Sequence, residues 1–411
     1  MQRRFFLPAL ASAALRPARP AAKAIRRIVL APVEGRFHKF VTMNRYDKAP
    51  KGHTYTNTLV RIQTGEGAEG VGVMGYAAPD DAFRHALRGL LGALPLDLYE
   101  MREGRIAGRA PAYAALLTRY KHLDGPLFDL VGKLTGRPAW RLLGESARER
   151  IEVYDGTLYF SDVWFAGRGV RAVVEEAEEA CRKGYRGLKL KVGRGFQWME
   201  QDQGDRRDIE VVRAVRRAVG PRVKILADAN DGYQQDYDRA WRFIAETASA
   251  GIHWYEELYP EDVARYSRLR QDLRKAGIRS LIADGESVHR TADFEPYLRP
   301  VRLIDVLQMD IRTEGFLENA AAARLAQAAG GTCVPHNWGS QVGGCMGMQL
   351  SKAFAAVPAA EDDRSACDAL IADGYQFRDG ACTVPDRPGL SLHVDEAVYN
   401  RKYRAGESVV E

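Results

Sequence analysis

The sequence predicts an α/β protein whose central part is a closed barrel of parallel strands. From residue 151 onward, short apolar segments alternate with amphipathic helical segments. Such alternation is typical of a parallel sheet, because each parallel strand needs a crossover connection. The predicted strands lie at residues 151–154, 187–191, 223–228, 252–256, 280–284, 303–310 and 332–336. Seven strands in a segment of this length favour a closed barrel over an open sheet.

The chain length predicts a second, smaller domain. The 411 residues exceed the roughly 250 residues of a typical barrel. We assign residues 23–150 to an N-terminal α+β domain, 151–373 to the barrel, and 374–411 to a segment that packs back on the first domain. Within the first domain, residues 34–56 are polar and aromatic, and we expect them to form a long functional loop.

The amino-acid composition limits the kinds of molecule that the protein is expected to bind. The net charge of +6 comes from 60 basic and 54 acidic residues, a small excess that favours anionic small molecules. Without a dense basic stripe, we expect no nucleic-acid partner. No apolar stretch suggests a membrane span. The five cysteines are widely spaced and form no C-x-x-C pair, so we interpret them as free thiols.

The N-terminus leaves the location of the protein open. Arg3 and Arg4 precede a short apolar stretch that ends near Leu15. This pattern resembles a twin-arginine export signal, which would place the protein in the periplasm. The alternative is a disordered tail on a cytoplasmic protein. Residues 1–22 are therefore set apart from the fold prediction.

Carboxylates follow three successive predicted strands. Asp228, Glu256 and Glu286 are separated by 28 and 30 residues, about one strand–helix unit each. Because the carboxyl ends of parallel barrel strands meet at one mouth, these side chains converge there. A single carboxylate in such a place is more often a helix cap or a surface ion pair. Three converging carboxylates repel one another unless a cation lies between them, and an all-oxygen set suits Mg²⁺.

Basic groups occupy the ends of other strands. Lys189 and Lys191 lie two apart on one strand and therefore project from the same face. We expect a neighbouring ammonium and a divalent cation to lower the pKa of Lys191, which would make it usable as a base. His336 and Asp310 end the last two predicted strands, and a carboxylate beside an imidazole orients it. The two bases would then face each other across the mouth.

With these residues in place, the sequence resembles the enolase superfamily, mandelate racemase subgroup. A segment at residues 123–133 resembles the helix that leads this family into its barrel. The other matching segments are residues 187–193, 227–230, 254–257, 284–287, 309–310 and 335–337. The resemblance covers the chain from about residue 25 onward. Each segment alone is a weak signal, whereas their shared order is a strong one.

The resemblance implies a modified TIM barrel, (β/α)₇β, with an α+β capping domain built from both chain ends. It implies that Asp228, Glu256 and Glu286 bind Mg²⁺, that Lys191 and the His336–Asp310 dyad are the two acid/base groups, and that Lys189 steadies the substrate carboxylate. It places Asn230 near substrate or metal and makes Asn337 and Trp338 specificity residues. Residues 34–56 would be the capping loop. The partner would be a small-molecule carboxylate, and the protein a homo-oligomer.

Two assignments stay open at this point. The family usually has proline two residues after the second ligand, where this chain has Leu258, so Glu257 competes with Glu256. Strand alternation allows only one of these two to point inward. The family racemase also has a late glutamate that hydrogen-bonds the intermediate, and Glu361, Asp362 and Asp363 compete for that place.

The expected chemistry is abstraction of the proton next to a carboxylate, through an enediolate. If His336 then protonates a departing β-hydroxyl group, the product of a sugar acid is a 2-keto-3-deoxy acid. Polar residues of the expected loop favour this dehydration over racemisation or epimerisation of a 2-hydroxy acid; they are His38, Lys39, Asn44, Arg45 and Lys48. A lactonising enzyme and a non-catalytic sugar-acid binding protein are more distant alternatives.

Overall fold

The N-terminal part of the chain forms an antiparallel sheet covered by helices. The computed structural model describes residues 21–145 and 148–411, so the possible export signal or disordered tail at residues 1–22 lies outside the described residues except for its last two residues. The strands are β1 (Ile25–Val41), β2 (Gly52–Thr64), β3 (Glu69–Val73), β4 (Tyr99–Arg102) and β5 (Arg105–Arg109). The helices are α1 (Asp81–Leu87), α2 (Pro111–Arg119), α3 (Asp124–Thr135) and α4 (Ala139–Leu143). β1 pairs with β2, and β2 pairs with β3.

The prediction of a long loop at residues 34–56 is wrong. Most of this segment is the outer half of the β1–β2 hairpin, and only residues 42–51 connect the two strands. Val33, Gly35 and Phe37 are buried, whereas Glu34 and Arg36 are exposed. The alternation required for a strand is therefore present in the sequence, but charged residues and a glycine conceal it. The hairpin thus places its short connection, residues 42–51, at the barrel mouth.

β3 packs very closely against α3. A β-carbon on Gly70 would lie 2.1 Å from the carbonyl oxygen of Pro126 and 2.6 Å from the β-carbon of Leu130. We expect Gly70→Ala to lower the free energy of unfolding by about 1–3 kcal/mol, because the added methyl group forces sheet and helix apart. Gly167→Ala is the control, since a β-carbon there would meet no atom within 4 Å. Urea unfolding of both variants checks this, and equal stability would contradict the packing argument.

Parallel strands form the barrel. They are β6 (Arg150–Leu158), β7 (Gly187–Lys191), β8 (Lys224–Asp228), β9 (Trp254–Glu256), β10 (Leu281–Asp284), β11 (Val306–Leu307), β12 (Thr332–Cys333) and β13 (Ala359–Asp362). The intervening helices are α5 (Ser161–Trp164), α6 (Val170–Lys183), α7 (Gln201–Val219), α8 (Tyr237–Thr247), α9 (Val263–Lys275), α10 (Glu295–Leu298), α11 (Ile311–Ala328) and α12 (Gln341–Ala353). The predicted strand–helix alternation is confirmed, and β13 is the strand that the sequence analysis missed.

The barrel closes where β13 pairs with β6 in parallel. One buried cluster fills the interior near the amino ends of the strands, and residues from β6 and β8 to β13 contribute to it; its members are Tyr154, Leu226, Trp254, Ala283, Val306, Val334 and Ala359. Because side chains alternate along a strand, the residues two positions further on also point inward. Five of these seven positions hold polar residues, and the other two hold glycines; the polar residues are Asp228, Glu256, Gln308, His336 and Glu361. The apolar layer therefore supports a polar layer at the mouth.

Part of the end of the chain returns to the first sheet, and another part pairs with the barrel strand β6. The end of the chain contains β14 (Ser365–Cys367), β15 (Leu370–Ala372), β16 (Gln376–Arg378), β17 (Ala381–Thr383), β18 (Leu392–Val394), α13 (Glu396–Lys402) and β19 (Ser408–Val410). Both β14 and β19 pair with β1. The capping domain is therefore built from both chain ends, as expected. Among residues 21–145 and 148–411, none of the helices has the length and apolar character of a membrane span. The cysteines are free thiols, as predicted.

Candidate active site

Three carboxylates from successive strands meet at the barrel mouth. Asp228 and Glu256 are the last residues of β8 and β9 and lie opposite each other in the register, and Glu286 follows β10. One oxygen atom from each of the three lies within 4.8 Å of the other two. Asp228 and Glu256 are fully buried. This compact set of hard oxygen donors fits Mg²⁺, whose remaining ligands are commonly water and substrate oxygens.

Two lysines from β7 contact these carboxylates. The Nζ atom of Lys189 lies 2.9 Å from Glu256, 3.3 Å from Asp228 and 2.7 Å from Glu361. Lys191 hydrogen-bonds Asp228. Both lysines are almost fully buried, which is tolerable only because anions surround them. The prediction that both point inward is confirmed.

The electrostatics of this cluster follow from burial and mutual charge. Burial raises the pKa of Asp228, but Lys191 and Lys189 outweigh it and hold that pKa well below its usual range. Burial and the charge of Asp228 raise the pKa of Glu256 to about 7. Burial lowers the pKa of Lys191, yet the charge of Asp228 outweighs burial and raises it. The expected lowering is therefore not produced by protein side chains, and only the divalent cation could supply it.

His336 and Asp310 form the predicted dyad. The Nδ1 atom of His336 lies 2.8 Å from Oδ2 of Asp310, and both residues are buried. Burial lowers the pKa of His336, but the charges of Glu286 and Asp310 outweigh it and raise that pKa to about 9. The Nε2 atom lies 3.3 Å from Glu286. With Nδ1 held by Asp310, Nε2 is the nitrogen that faces the carboxylate cluster.

The two bases therefore flank the carboxylate cluster. Lys191 contacts Asp228 at one end of the cluster, and His336 contacts Glu286 at the other. The cluster therefore has an amine beside one carboxylate and an imidazole beside another. Such an arrangement suits chemistry that removes a proton on one face and delivers one on the other.

Glu257 is buried beside the cluster, contrary to the expectation from strand alternation. Its φ of 43° lies in the left-handed region, so the chain has already left the strand. The Nδ2 atom of Asn230 donates to Glu257 at 2.9 Å and to Glu286 at 3.3 Å. Asn230 also accepts a hydrogen bond from Asn44 at 2.9 Å, which joins the residue 42–51 connection to the barrel. The three-carboxylate cluster contains Glu256 and not Glu257.

Among the three late acidic residues, Glu361 is the one that reaches the mouth. It lies on β13, accepts a hydrogen bond from the backbone N–H of Asn337 at 3.1 Å, and contacts Lys189. Asp362 accepts the hydroxyl hydrogen of Tyr185 at 2.5 Å, and Asp363 accepts the backbone N–H of Ser340 at 2.9 Å. The register of β13 therefore turns Glu361, and not Asp362 or Asp363, towards the barrel mouth.

An aromatic wall (Phe37, Tyr159 and Trp338) borders the mouth next to Lys191. The Tyr159 ring lies 5.5 Å from Nζ of Lys191 and 4.9 Å from the Trp338 ring, which stacks on Phe37 at 5.0 Å. Nζ of Lys51 lies 5.4 Å from the Trp338 ring. Tyr159 follows β6, so the rule of strand-end residues would have found it if the end of that strand had been placed correctly.

Asn337 and several polar residues of the segment 34–56 contact parts of the protein other than the carboxylate cluster. The amide of Asn337 turns towards the carbonyl oxygen of Ser340 at 3.3 Å. Lys39 pairs with Glu176 of α6 at 2.6 Å, and the backbone N–H of His38 donates to the carbonyl oxygen of Arg364. The guanidinium of Arg45 lies 4.1 Å from the Phe196 ring. The side chain of Lys39 is therefore engaged with α6 and not with the carboxylate cluster.

Comparison with known sequences agrees with this geometry. The sequence profile of the family described as "Enolase C-terminal domain-like" matches residues 172–398, more than half of the chain. The chain is 29% identical to a D-galactarolactone cycloisomerase from Agrobacterium fabrum over 82% of this chain and 89% of that protein. It is 27% identical to a D-xylonate dehydratase from Haloferax volcanii, over 83% and 84% of the two chains.

Solved structures show the same two-part architecture. A galacturonate dehydratase from Geobacillus sp., crystallised with D-galacturonate and 5-keto-4-deoxy-D-galacturonate, superposes with a TM-score of 0.81 at 28% identity, over 94% of this chain and 99% of that one. A mandelate racemase/muconate lactonizing protein from Geobacillus sp., complexed with magnesium and tartrate, gives 0.80 at 28% identity over 97% and 100%. With its barrel, its capping domain and its matched residues, the chain belongs to the enolase C-terminal domain-like family, within the enolase superfamily.

Proposed function

We propose that this protein is a Mg²⁺-dependent enzyme that dehydrates a sugar acid to a 2-keto-3-deoxy acid through an enediolate. The observation that carries the proposal is the position of Lys191 and His336 at opposite ends of one carboxylate cluster. The relatives named as sugar-acid dehydratases, such as the D-xylonate dehydratase, support this reaction. The neighbouring structure that contains magnesium and tartrate supports the cofactor.

We assign the metal ligands as Asp228, Glu256 and Glu286. Magnesium, when bound there, supplies the positive charge that makes the proton next to a carboxylate acidic. The same three carboxylates raise the pKa of Lys191 and, through Glu286, that of His336. A cation that offsets their charge would lower both values towards neutrality, where an acid/base group works best.

We assign the acid/base roles from the two flanking positions. Lys191 would accept the α-proton, since its Nζ is held at the cluster by Asp228. Lys189 would hold the substrate carboxylate by charge, and Asn230 would hold a hydroxyl group or the carboxylate. His336, oriented by Asp310, would donate its Nε2 proton to the departing β-hydroxyl group, which leaves as water. The aromatic wall with Trp338 would contact the far end of the substrate; Asn337 would act through the loop that it stabilises.

A substrate screen tests the proposal. Aldonic, uronic and aldaric acids are incubated with the purified enzyme and Mg²⁺, and 2-keto acids are detected after reaction with semicarbazide. We expect at least one acid to give a 2-keto-3-deoxy product. In D₂O, deuterium at the α-carbon without such a product would favour a racemase or epimerase. Absence of both exchange and product across the library would favour a non-catalytic binding protein and contradict the proposal.

Glu286 offers a direct test of the metal assignment. We expect Glu286→Gln to weaken Mg²⁺ binding by more than roughly tenfold, because the amide removes one negative charge from the ligand set. Glu257→Gln is the matched control, since Glu257 is buried next to the cluster but does not belong to it. Isothermal titration with MgCl₂ measures both. If Glu257→Gln had the larger effect, the ligand assignment would be wrong.

We further propose the domain boundaries at residues 150 and 373, with residues 374–411 completing the capping domain. Two local exchanges cross the second boundary: β14 before it pairs with β1 of the capping sheet, and β17 after it pairs with β6 of the barrel. We also propose that the protein is a homo-oligomer whose substrate is a small carboxylate. Limited proteolysis with mass spectrometry tests the boundaries, and light scattering coupled to size-exclusion chromatography tests the oligomeric state. A monomer in solution would contradict the second of these proposals.

A further inference from the structure

A tyrosine of the capping domain contacts the catalytic dyad. Tyr76 follows β3 in the chain, and its hydroxyl oxygen lies 3.1 Å from Oδ2 of Asp310. Oδ2 of Asp310 also accepts the hydrogen bond from Nδ1 of His336 at 2.8 Å. No sequence pattern singles out Tyr76, because it lies far from every barrel strand along the chain.

Both oxygens of the Asp310 carboxylate are engaged. Oδ1 accepts the backbone N–H of Thr313 at 2.7 Å, which caps the start of α11. Oδ2 accepts from Tyr76 and from His336. Tyr76 is a donor to Oδ2 that does not belong to the imidazole, so together with Thr313 on Oδ1 it fixes the plane of the carboxylate independently of His336. The plane of the carboxylate in turn sets the direction of the imidazole ring.

Arg312 holds the Tyr76 ring in place. The guanidinium carbon lies 4.0 Å from the centre of the ring, and Arg312 is only 2% exposed. Its Nη1 atom donates to Oδ1 of Asn57 on β2 at 3.0 Å and to the carbonyl oxygen of Gly339 at 3.2 Å. The tyrosine itself is 61% exposed. Stacking on a buried, anchored cation, rather than burial, therefore fixes the hydroxyl next to Asp310.

We propose that Tyr76 is a positioning residue that fixes the Asp310 carboxylate and thereby aims Nε2 of His336 at the substrate. This inference rests on the proposed function for its catalytic consequence. The capping domain then contributes to the His336 half of the reaction, while the Lys191 half depends on barrel residues. Loss of the Tyr76 hydroxyl group should therefore slow the step that depends on His336 and leave the step that depends on Lys191 unchanged.

Tyr76→Phe tests this, because phenylalanine keeps the ring on Arg312 and removes only the hydroxyl group. We expect kcat for product formation to fall about tenfold or more, as for loss of a hydrogen bond to a charged group, with KM within about twofold. Deuterium exchange at the α-carbon, which Lys191 catalyses, should stay within about twofold of the wild-type rate. Tyr237→Phe is the matched control; it removes a 2.7 Å hydrogen bond to Asp272 on the outer helices and should leave both rates unchanged.

Unchanged product formation in Tyr76→Phe would overturn the inference. Equal loss of exchange and product formation would also overturn it, since that result indicates general damage to the mouth. If the wild-type enzyme acts on no acid, the proposed function fails, and crystal structures decide the role of Tyr76 separately. A turned Asp310 carboxylate, or a His336–Asp310 distance beyond about 3.5 Å, would support positioning. A dyad that superposes on the wild-type dyad would refute it.

Discussion

Lys191→Ala is expected to lower kcat by about 100- to 10,000-fold, the usual contribution of one acid/base group. Lys191 is the only lysine in contact with Asp228 besides Lys189 among the described residues, and Lys189 is already bound by three carboxylates. No neighbouring amine can therefore take its place. Steady-state kinetics on the acid found by the screen, together with α-proton exchange in D₂O, measure the effect. Both product formation and exchange should be lost.

His336→Asn is the companion variant with a different signature. Asparagine can still hydrogen-bond Asp310 but carries no transferable proton, so product formation should fall within the same range. Exchange of the α-proton should persist, because Lys191 is intact. Lys224→Ala is the control for both variants; Lys224 begins β8 at the opposite end of the barrel and pairs with Glu152. Full activity in both Lys191→Ala and His336→Asn would refute the two-base scheme.

The meeting of the three carboxylates, the two lysines and the His336–Asp310 pair at the mouth could be predicted because the barrel itself brings them together. Asp228, Glu256 and Glu286 are distant along the chain, yet each ends or follows a parallel strand, and strand ends converge in any such barrel. Periodicity and spacing therefore carry this information. The choice between Glu256 and Glu257 was harder, because the outcome depends on the backbone turn at Glu257, where φ is 43°. A turn into the left-handed region leaves no clear signal in the residue type.

The contacts that the capping domain makes at the mouth could not be predicted in the same way, although Asn44 and Lys51 lie in the segment 34–56 that was expected to cap the barrel. Asn44, Lys51 and Tyr76 reach the mouth only after the hairpin and the segment behind β3 dock on the barrel. Docking depends on tertiary contacts such as the stacking of Tyr76 on Arg312, which no local pattern encodes. Glu361 was left open for a related reason. Three acidic residues stand in a row, and only the pairing of Glu361 with Tyr154 in the β13–β6 register identifies the one that faces inward.

Arg194 was also missed, although it is fully buried just after β7, the strand that carries Lys191. It follows β7 and donates to Asp162 at 2.7 Å and to Asp208 at 2.7 Å, and neither carboxylate has exposed side-chain surface. Its Nη1 atom also donates to the carbonyl oxygen of Lys191 at 3.1 Å. A buried cation with two buried anions thus fixes the backbone of the residue that is proposed to take the proton.

Arg194→Met is expected to lower the free energy of unfolding by about 3–5 kcal/mol, because it leaves buried carboxylates without their cation. Burial already raises the pKa of Asp208 to about 6, even though Arg194 acts in the opposite direction. Without Arg194 that carboxyl group must take up a proton or draw water into the core, and either change costs stability. Asp162 keeps a 3.3 Å contact with Arg207, which partly compensates this carboxylate for the loss of Arg194.

Arg213→Met is the matched control for this effect. Arg213 pairs with Glu246 at 3.3 Å on the surface, where both side chains are nearly half exposed. Exposed pairs of this kind contribute about 0–1 kcal/mol, because water and salt screen them. Urea unfolding followed by circular dichroism compares the two variants with the wild-type protein. If Arg194→Met cost no more than Arg213→Met, the buried cation would not be what holds the backbone behind Lys191, and the rigidity of that strand end would have to come from the packing of β7 between β6 and β8.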